Sequence, residues 1–294
     1  MITALEIPAD INLRLFSAFL HQTRIAHRIT EEGVNQVVWV NNLEDGQRVR
    51  VFYSQLTNGE LVLEDEQGRR IGGLGFASRL FANVWRYPLT MALLLLSILL
   101  FPVTSGLGSD VAGSLFSWMT FLRFEIVAHS VYFDTLAETL NSHQYWRLLT
   151  PMFIHFGWMH IVFNMLWLWE IGRRIELANG SSTLLLVTLV SSLTANLLQY
   201  AMSEPGFFGG MSGVVFGYLG HCLVWDRLVP EKPMGVRSGI YIFMLSFLAL
   251  GFSGAIDLLG MGSLANGAHL GGLLGGALTG LVAGLLQKLS AKPQ

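Results

Sequence analysis

Charged residues are scarce in this sequence. Only 13% of its 294 residues are Asp, Glu, Lys or Arg and 52% are hydrophobic, whereas an ordinary globular domain carries about 25% charged residues. The charges are also uneven, because 19 of the 38 lie in residues 1–86 and the other 19 are spread over the remaining 208. This composition predicts a soluble N-terminal head attached to a membrane-embedded body.

Other features are missing as well. The single cysteine, Cys222, excludes an intramolecular disulfide. Residues 1–30 carry charges throughout and lack the apolar core of a cleavable secretory signal, so we expect the head to remain in the cytoplasm. The net charge of −2 and the lack of a basic stripe with interleaved aromatic residues predict that nucleic acid is not a partner.

Six apolar segments approach the length of about 20 residues that a membrane-spanning helix needs. We predict spans at residues 85–103, 148–171, 183–202, 211–229, 239–254 and 267–286, of which the fifth is short. Eleven Lys and Arg residues lie near the span ends on one side of this arrangement, and only Arg123 and Arg147 lie on the other. Because positive charge collects on the cytoplasmic side, we expect both termini in the cytoplasm.

The predicted fold class is an all-α polytopic bundle of six transmembrane helices, preceded by a small α/β cytoplasmic domain. We place the head at residues 1–70, a linker at 71–84, the bundle at 85–288 and a cytoplasmic tail at 289–294. Residues 104–147, between the first two spans, mix aromatic and charged side chains and favour segments in the membrane interface; an ordinary solvated loop is the alternative.

Within the head, we expect two helices and two short strands. The strands are predicted near residues 37–40 and 60–63, and the second helix at residues 43–56. The first helix is predicted to be capped by Asp10. Its apolar face comprises Ile11, Leu15, Phe16 and Phe19.

Strongly polar residues lie inside three predicted spans at a similar depth. Ser212 and His269 are near the starts of spans four and six, and His155, His160 and Asn164 lie in the first two thirds of span two. At a rise of about 1.5 Å per residue, all lie within roughly 10 to 20 Å of the outer surface. Such residues are functional candidates, although each can also link helices by a hydrogen bond.

The spacing of the glycines near Ser212 and His269 favours a functional interpretation of these two residues. Span six has glycine every fourth residue, at Gly272, Gly276, Gly280 and Gly284. This ladder predicts close approach to another helix, and His269 lies on nearly the same face. Glycines also surround Ser212, at positions 209, 210, 213 and 217. We therefore expect Ser212 and His269 to meet; a packing motif with an incidental histidine is the alternative.

A serine beside an imidazole predicts nucleophilic acyl transfer, because the imidazole can take the hydroxyl proton. His160 and Asn164, four residues apart on one helix face, are candidates to stabilise the oxyanion together with the backbone N–H of Ser212. Glu170, the next carboxylate along span two, is about 15 Å deeper than His160. We therefore predict a Ser-His dyad rather than a triad.

Other chemistries fit less well. An α/β-hydrolase elbow needs Gly-x-Ser-x-Gly after a strand, and Val214 occupies the final position here. A zinc site built from His155, His160 and His269 lacks a carboxylate and a matching spacing. A transporter relay would need polar residues to continue to the inner face. We predict neither a cofactor nor a metal.

Three motifs in order resemble those of the rhomboid family of intramembrane serine proteases, in the bacterial type that has an N-terminal cytoplasmic domain. These motifs are residues 155–164, residues 210–213 with the pattern Gly-x-Ser-Gly, and residues 267–269. The resemblance implies Ser212 as nucleophile, His269 as base, and Asn164 and His160 as oxyanion donors. Phe216 stands where the family often has a tyrosine that packs on the histidine.

The resemblance also implies function and surroundings. It implies cleavage of transmembrane helices of other proteins near the outer face of a bacterial inner membrane, with lipid around the bundle. Glycine grooves serve intermolecular as well as internal packing, so both a homo-oligomer and a single copy are compatible with the sequence. It implies that the pair Trp146-Arg147 braces the first loop, that Glu176 is structural, and that the fifth span with residues 252–266 is a gate. A catalytically inactive family member that binds membrane helices is the alternative, although such relatives lack the serine or the histidine.

Overall fold

The computed structural model describes residues 1–9, 11–58, 61, 63–64, 70–71, 85–104, 115–254 and 264–290. The chain forms two compact units, Met1–Ala82 and Asn83–Gln294. Several predicted features lie wholly or partly outside the described residues. The residues concerned are Asp10, residues 60 and 62 of the second predicted strand, linker residues 72–84, interface residues 105–114, gate-loop residues 255–263 and tail residues 291–294.

The head is a three-stranded antiparallel sheet with two helices. Its elements are β1 (Ile2–Pro8), α1 (Arg14–Gln22), β2 (His27–Glu32), β3 (Asn35–Val40) and α2 (Leu43–Asn58), followed by a pair of two-residue strands, β4 (Leu63–Glu64) and β5 (Arg70–Ile71). Strand β3 lies between β1 and β2.

The core of the head forms between the central strand and the two helices. Val38 and Val40 of β3 are fully buried, as are Leu20 of α1 and Val49 of α2. The structure confirms the strand predicted at residues 37–40 and the presence of both helices. However, α1 begins at Arg14 with Leu13 as its N-cap, so the prediction of an Asp10 cap and of Ile11 on the helix face is wrong. Strand β4 shares only Leu63 with the strand predicted near residues 60–63. Sequence patterning missed β1 and β2.

The second unit is mostly helical. Its elements in chain order are α3 (Pro88–Thr104), α4 (Leu115–Met119), β6 (Phe124–Val127), β7 (Ser130–Phe133), α5 (Leu136–Asn141), 3₁₀ turns at Tyr145–Leu148 and Thr150–Phe153, α6 (Trp158–Trp167), a π-helical turn at Leu168–Gly172, α7 (Arg173–Asn179), α8 (Ser181–Met202), α9 (Ser212–Leu228), α10 (Ser238–Phe252) and α11 (Asn266–Ser290). Helix α6, the π turn and α7 follow one another without a break.

Two of the described helices, α8 with 22 residues and α11 with 25, are long and apolar enough to cross a membrane. The apolar segments Pro88–Pro102 of α3 and Ser238–Phe252 of α10 are shorter. The six-span count therefore stays a prediction.

The predicted start of the second span, at Leu148, is wrong. Residues 145–153 form two short 3₁₀ turns, and the helix begins only at Trp158. Pro151 explains part of the late helix start, because proline has no backbone N–H to donate to a helical hydrogen bond. Its carbonyl instead accepts from the N–H of Gly210 at 2.9 Å, so this apolar segment packs beside the residues that precede α9.

Helices α8, α9 and α11 pack with their main chains close together. A Cβ atom added to Gly272 or Gly276 of α11 would overlap the carbonyl oxygen of Gly213 or Gly217 of α9, respectively. The predicted glycine ladder is therefore the contact surface for α9. A second stripe that the sequence reading missed, at Gly267, Gly271 and Gly275, also lies too close to α8 to leave room for a Cβ atom.

Arg147 and a hairpin stabilise residues 115–157, which precede α6. Arg147 is buried and donates to the carbonyls of Ser117 at 2.6 Å and Thr120 at 2.8 Å. Burial lowers the pKa of its guanidinium to about 10, which still leaves it charged at neutral pH. Strands β6 and β7 join through Ala128 and His129, both with positive φ, as a two-residue hairpin turn requires.

Glu176 of α7 connects three elements. Its carboxylate, in a side chain only 5% exposed, accepts hydrogen bonds from the N–H groups of Leu89 and Thr90 and from the hydroxyls of Thr90 and Ser181, at 2.6 to 2.9 Å. It therefore satisfies N–H groups in the first turn of α3, which have no partner within that helix.

We expect Glu176→Ala to lower the free energy of unfolding by about 3 kcal/mol, because each buried donor left without an acceptor costs roughly 1 to 3 kcal/mol. Thermal unfolding of the purified protein in detergent measures the effect. Glu176→Gln keeps one acceptor oxygen and is expected to be intermediate. Equal melting temperatures for the alanine variant and the wild type would contradict this role.

Candidate active site

Ser212 is the first residue of α9, and Gly210 sets the direction in which the chain enters this helix. Gly210 has a φ of +114°, a backbone conformation that favours glycine. The N–H of Ser212 has no carbonyl partner within α9, because the first N–H groups of a helix have none. The serine therefore lies where free N–H donors and the positive end of the helix dipole coincide.

His269 lies in the first turn of α11 and contacts Ser212. Its Nε2 is 2.9 Å from Ser212 Oγ, a hydrogen bond, and the imidazole is 4% exposed. The ring of Phe216, one turn into α9, is 4.7 Å from the imidazole centroid at an interplanar angle of 32°. Phe247 of α10 is 6.2 Å away on centroids. The structure thus brings together the two residues that the glycine pattern predicted to meet.

The other imidazole nitrogen of His269, Nδ1, has no hydrogen-bond partner among the residues that the structure describes. Glu170, the carboxylate considered from the sequence, instead pairs with Arg173 at 2.9 Å and Arg174 at 2.6 Å. Within the described part of the chain, the arrangement is a serine and histidine pair without an acid.

His160 and Asn164 of α6 converge on the backbone just before Ser212. A Cβ atom at Gly210 would lie 2.5 Å from His160 Nε2 and 3.3 Å from Asn164 Nδ2. Asn164 Nδ2 is buried with no partner among the described residues, so it is a free donor. His160 Nδ1 accepts from the N–H of Phe156 at 3.5 Å, which leaves the ring proton on Nε2, the atom nearer Gly210.

His155 supports the segment that leads into α9. This fully buried residue donates from Nδ1 to the carbonyl of Phe153 at 3.1 Å and accepts at Nε2 from the N–H of Met211 at 3.4 Å. Both nitrogens are therefore engaged. Within the described residues, no group of three or more His, Cys, Asp or Glu side chains could hold a metal ion.

Sequence reasoning missed a polar face on α8. Five of its polar side chains are buried, namely Thr188, Ser191, Ser192, Asn196 and Gln199. Ser192 and Asn196 donate to the carbonyls of Leu149 and Leu148 at 3.1 and 2.8 Å. The signal was present in the sequence, because Thr188, Ser192 and Asn196 recur every fourth residue within an apolar segment.

Two family models assign this chain to a protein family. The rhomboid domain model matches residues 142–285, which include Ser212, His269, Asn164 and His160, and the rhomboid N-terminal domain model matches residues 1–67. The chain belongs to the rhomboid family.

Curated relatives agree with this assignment. The rhomboid proteases GlpG of Salmonella schwarzengrund (strain CVM19633), Salmonella agona (strain SL483) and Salmonella choleraesuis (strain SC-B67) are each 29% identical to the chain over 246 residues. The alignment covers 80% of this chain and 80% of each relative. The rhomboid described here is therefore a serine protease and a membrane protein.

Proposed function

We propose that this rhomboid is an intramembrane endopeptidase that cleaves other membrane proteins in or near their transmembrane segments, with Ser212 as nucleophile and His269 as base. The observation that carries the proposal is the 2.9 Å contact between Ser212 Oγ and His269 Nε2. A neutral serine is a weak nucleophile and needs such a base. In the arrangement that we propose, α9 and α11 cross the bilayer among six spans of an inner membrane, with both termini in the cytoplasm.

The proposed reaction begins when Ser212 Oγ attacks the carbonyl carbon of the scissile peptide bond and its proton moves to His269 Nε2. The resulting imidazolium then gives this proton to the leaving amine as the peptide bond breaks. Water next attacks the acyl-enzyme and gives a proton to His269 Nε2. The ester bond to Ser212 Oγ then breaks, the acyl group leaves as the carboxylic acid product, and His269 returns the proton to Oγ. A helical substrate must first expose its peptide bond from its own hydrogen bonds, because unpaired backbone groups are costly in lipid.

The tetrahedral intermediate carries a negative charge that needs donors. Three donors lie around the start of α9: the N–H of Ser212, the free amide Nδ2 of Asn164 and the Nε2–H of His160. Because Asn164 Nδ2 lacks another partner among the described residues, it is already available before substrate arrives. This preorganisation supports an oxyanion site on the Gly210 side of the serine.

An inactive helix-binding role is disfavoured by the same geometry. A rhomboid that only bound helices would not need a serine hydroxyl aimed at an imidazole. Polar contact between α9 and α11 continues inward at His221 Nδ1 and Thr279 Oγ1, 3.0 Å apart, so the labelling test below is what separates a protease from a transporter relay. Lipid around the body is part of the proposal, which holds equally for a single copy and for a homo-oligomer.

A fluorophosphonate probe tests the proposal, since it reacts covalently with a serine that a base activates. We expect the wild-type protein in detergent to be labelled and Ser212→Ala to remain unlabelled. Equal labelling of the two proteins, or no labelling of either, would overturn the assignment of Ser212 as nucleophile.

Asn164→Ala is expected to slow cleavage of a membrane substrate by about 10²- to 10³-fold, the effect of removing one oxyanion donor, without abolishing it. KM is expected to change little, because the donor acts on charge that develops only in the transition state. Single-turnover kinetics with excess enzyme measure the rate of the chemical step. Asn179→Ala, which alters an asparagine outside the site, is the matched control, and an unchanged rate in Asn164→Ala would remove this residue from the mechanism.

A further inference from the structure

Gln199, near the end of α8, holds the first turn of α11. Its Oε1 accepts a hydrogen bond from the N–H of Ala268 at 3.0 Å, and its Nε2 donates to Ser203 Oγ at 3.2 Å, which fixes the orientation of the amide. Ala268 is the third residue of α11, so its N–H belongs to the donors that lack a partner within the helix. A neighbouring helix thus supplies the capping acceptor for α11.

Asn266 secures the same turn from the other side. Its Nδ2 donates to the carbonyl of Gly251, near the end of α10, at 2.8 Å. Gly251 has no room for a side chain, because an added Cβ atom would overlap Asn266 Oδ1. Two amide side chains therefore hold the start of α11 between α8 and α10, immediately before His269.

This arrangement matters because no partner holds the imidazole by its second nitrogen among the described residues. In a Ser-His-Asp triad, the carboxylate orients the ring through Nδ1. Here the ring packs against Phe216 and Phe247, but no described residue makes such a hydrogen bond to it. The position of Nε2 relative to Ser212 Oγ therefore depends on where the first turn of α11 lies.

We propose that Gln199, assisted by Asn266, is a positioning residue that performs the orienting task of the absent carboxylate by fixing the backbone of the base rather than its ring. The inference rests on the proposed Ser212–His269 mechanism. A misplacement of about 1 Å can cost up to about 10²-fold in rate, so loss of one of two anchors is expected to give a smaller but measurable effect.

The test uses the second-order rate constant for labelling of the full chain by a fluorophosphonate, which reports the reactivity of Ser212 without a protein substrate. We expect Gln199→Met, of similar size but without the acceptor, to lower this constant about 10-fold. Gln199→Glu keeps an oxygen within reach of the Ala268 N–H and is expected to restore it to within about threefold of wild type.

A pH profile of labelling separates positioning from altered basicity. We expect Gln199→Met to lower the plateau rate and leave the pH midpoint of the profile unchanged. Loss of the anchor displaces His269 but does not change the charges around it. A shifted midpoint, a wild-type rate in Gln199→Met, or a failure of Gln199→Glu to recover would each overturn the inference. Absence of Ser212-dependent labelling in the wild-type protein would instead overturn the proposed mechanism itself.

Discussion

Ser212→Ala is expected to reduce cleavage of a membrane substrate by about 10⁵- to 10⁶-fold, since removal of the nucleophile of a serine protease has an effect of this order. His269→Ala is expected to be about as severe, because residues that act as a unit give non-additive losses. The measurement is product formation by the purified protein in a reconstituted bilayer. The melting temperatures of both variants should stay close to that of the wild type.

The matched control for the serine is Ser142→Ala. The Ser142 hydroxyl donates to the carbonyl of Thr139 at 2.6 Å, at the end of a short helix that carries no proposed site residue, so full activity is expected. Cleavage by Ser212→Ala at more than a trace of the wild-type rate would contradict the mechanism. Combining Ser212→Ala with His269→Ala should add no further loss.

Gly276→Ala is expected to destabilise the protein by about 3 kcal/mol, at the upper end of the range for overpacked cores. The new methyl group would overlap the carbonyl oxygen of Gly217 in α9, and a main-chain atom cannot rotate away as a side chain can. Helices α9 and α11 must then separate, which also moves His269 away from Ser212. Thermal unfolding in detergent and fluorophosphonate labelling follow the two consequences.

Gly239→Ala provides the matched control, because a Cβ atom at this position in the first turn of α10 has nothing within 4 Å. We expect it to leave both stability and labelling unchanged. If Gly276→Ala and Gly239→Ala had the same melting temperature, the close contact between α9 and α11 would not exist in the folded protein.

Much of the site could be predicted from the sequence because its polar residues stand out against an apolar background. A serine or histidine inside a span needs a reason, and the four-residue repeat of glycine in α11 pointed to the helix it contacts. The contact between Ser212 and His269 followed from these two signals. Their catalytic roles stay predictions until the variants above are measured.

The parts that could not be predicted depend on partners far away in sequence. The second stripe of glycine in α11, at positions 267, 271 and 275, was obscured by the first, since both repeat every fourth residue. Strand β2 is rich in polar residues, namely His27, Arg28, Glu31 and Glu32, and lacks the apolar alternation that predicts a strand. It is a strand because its main chain pairs with β3, and this pairing leaves no local sequence signal. Gln199 carries no local sequence signal, because the N–H that it accepts from belongs to Ala268, 69 residues away in sequence.

The main-chain contact between Gly272 and Gly213 also bears on how the activity of this rhomboid can be regulated. Where helices touch through side chains, a rotamer change can shift one against the other, but here neither residue has a side chain to rotate. On the proposed mechanism, this contact holds α9 against α11, and Gln199 and Asn266 complete the alignment of the nucleophile with the base. Control of the enzyme would then fall on the entry of substrate to the active site. Selectivity would then lie in which membrane helices can enter and unwind at Ser212.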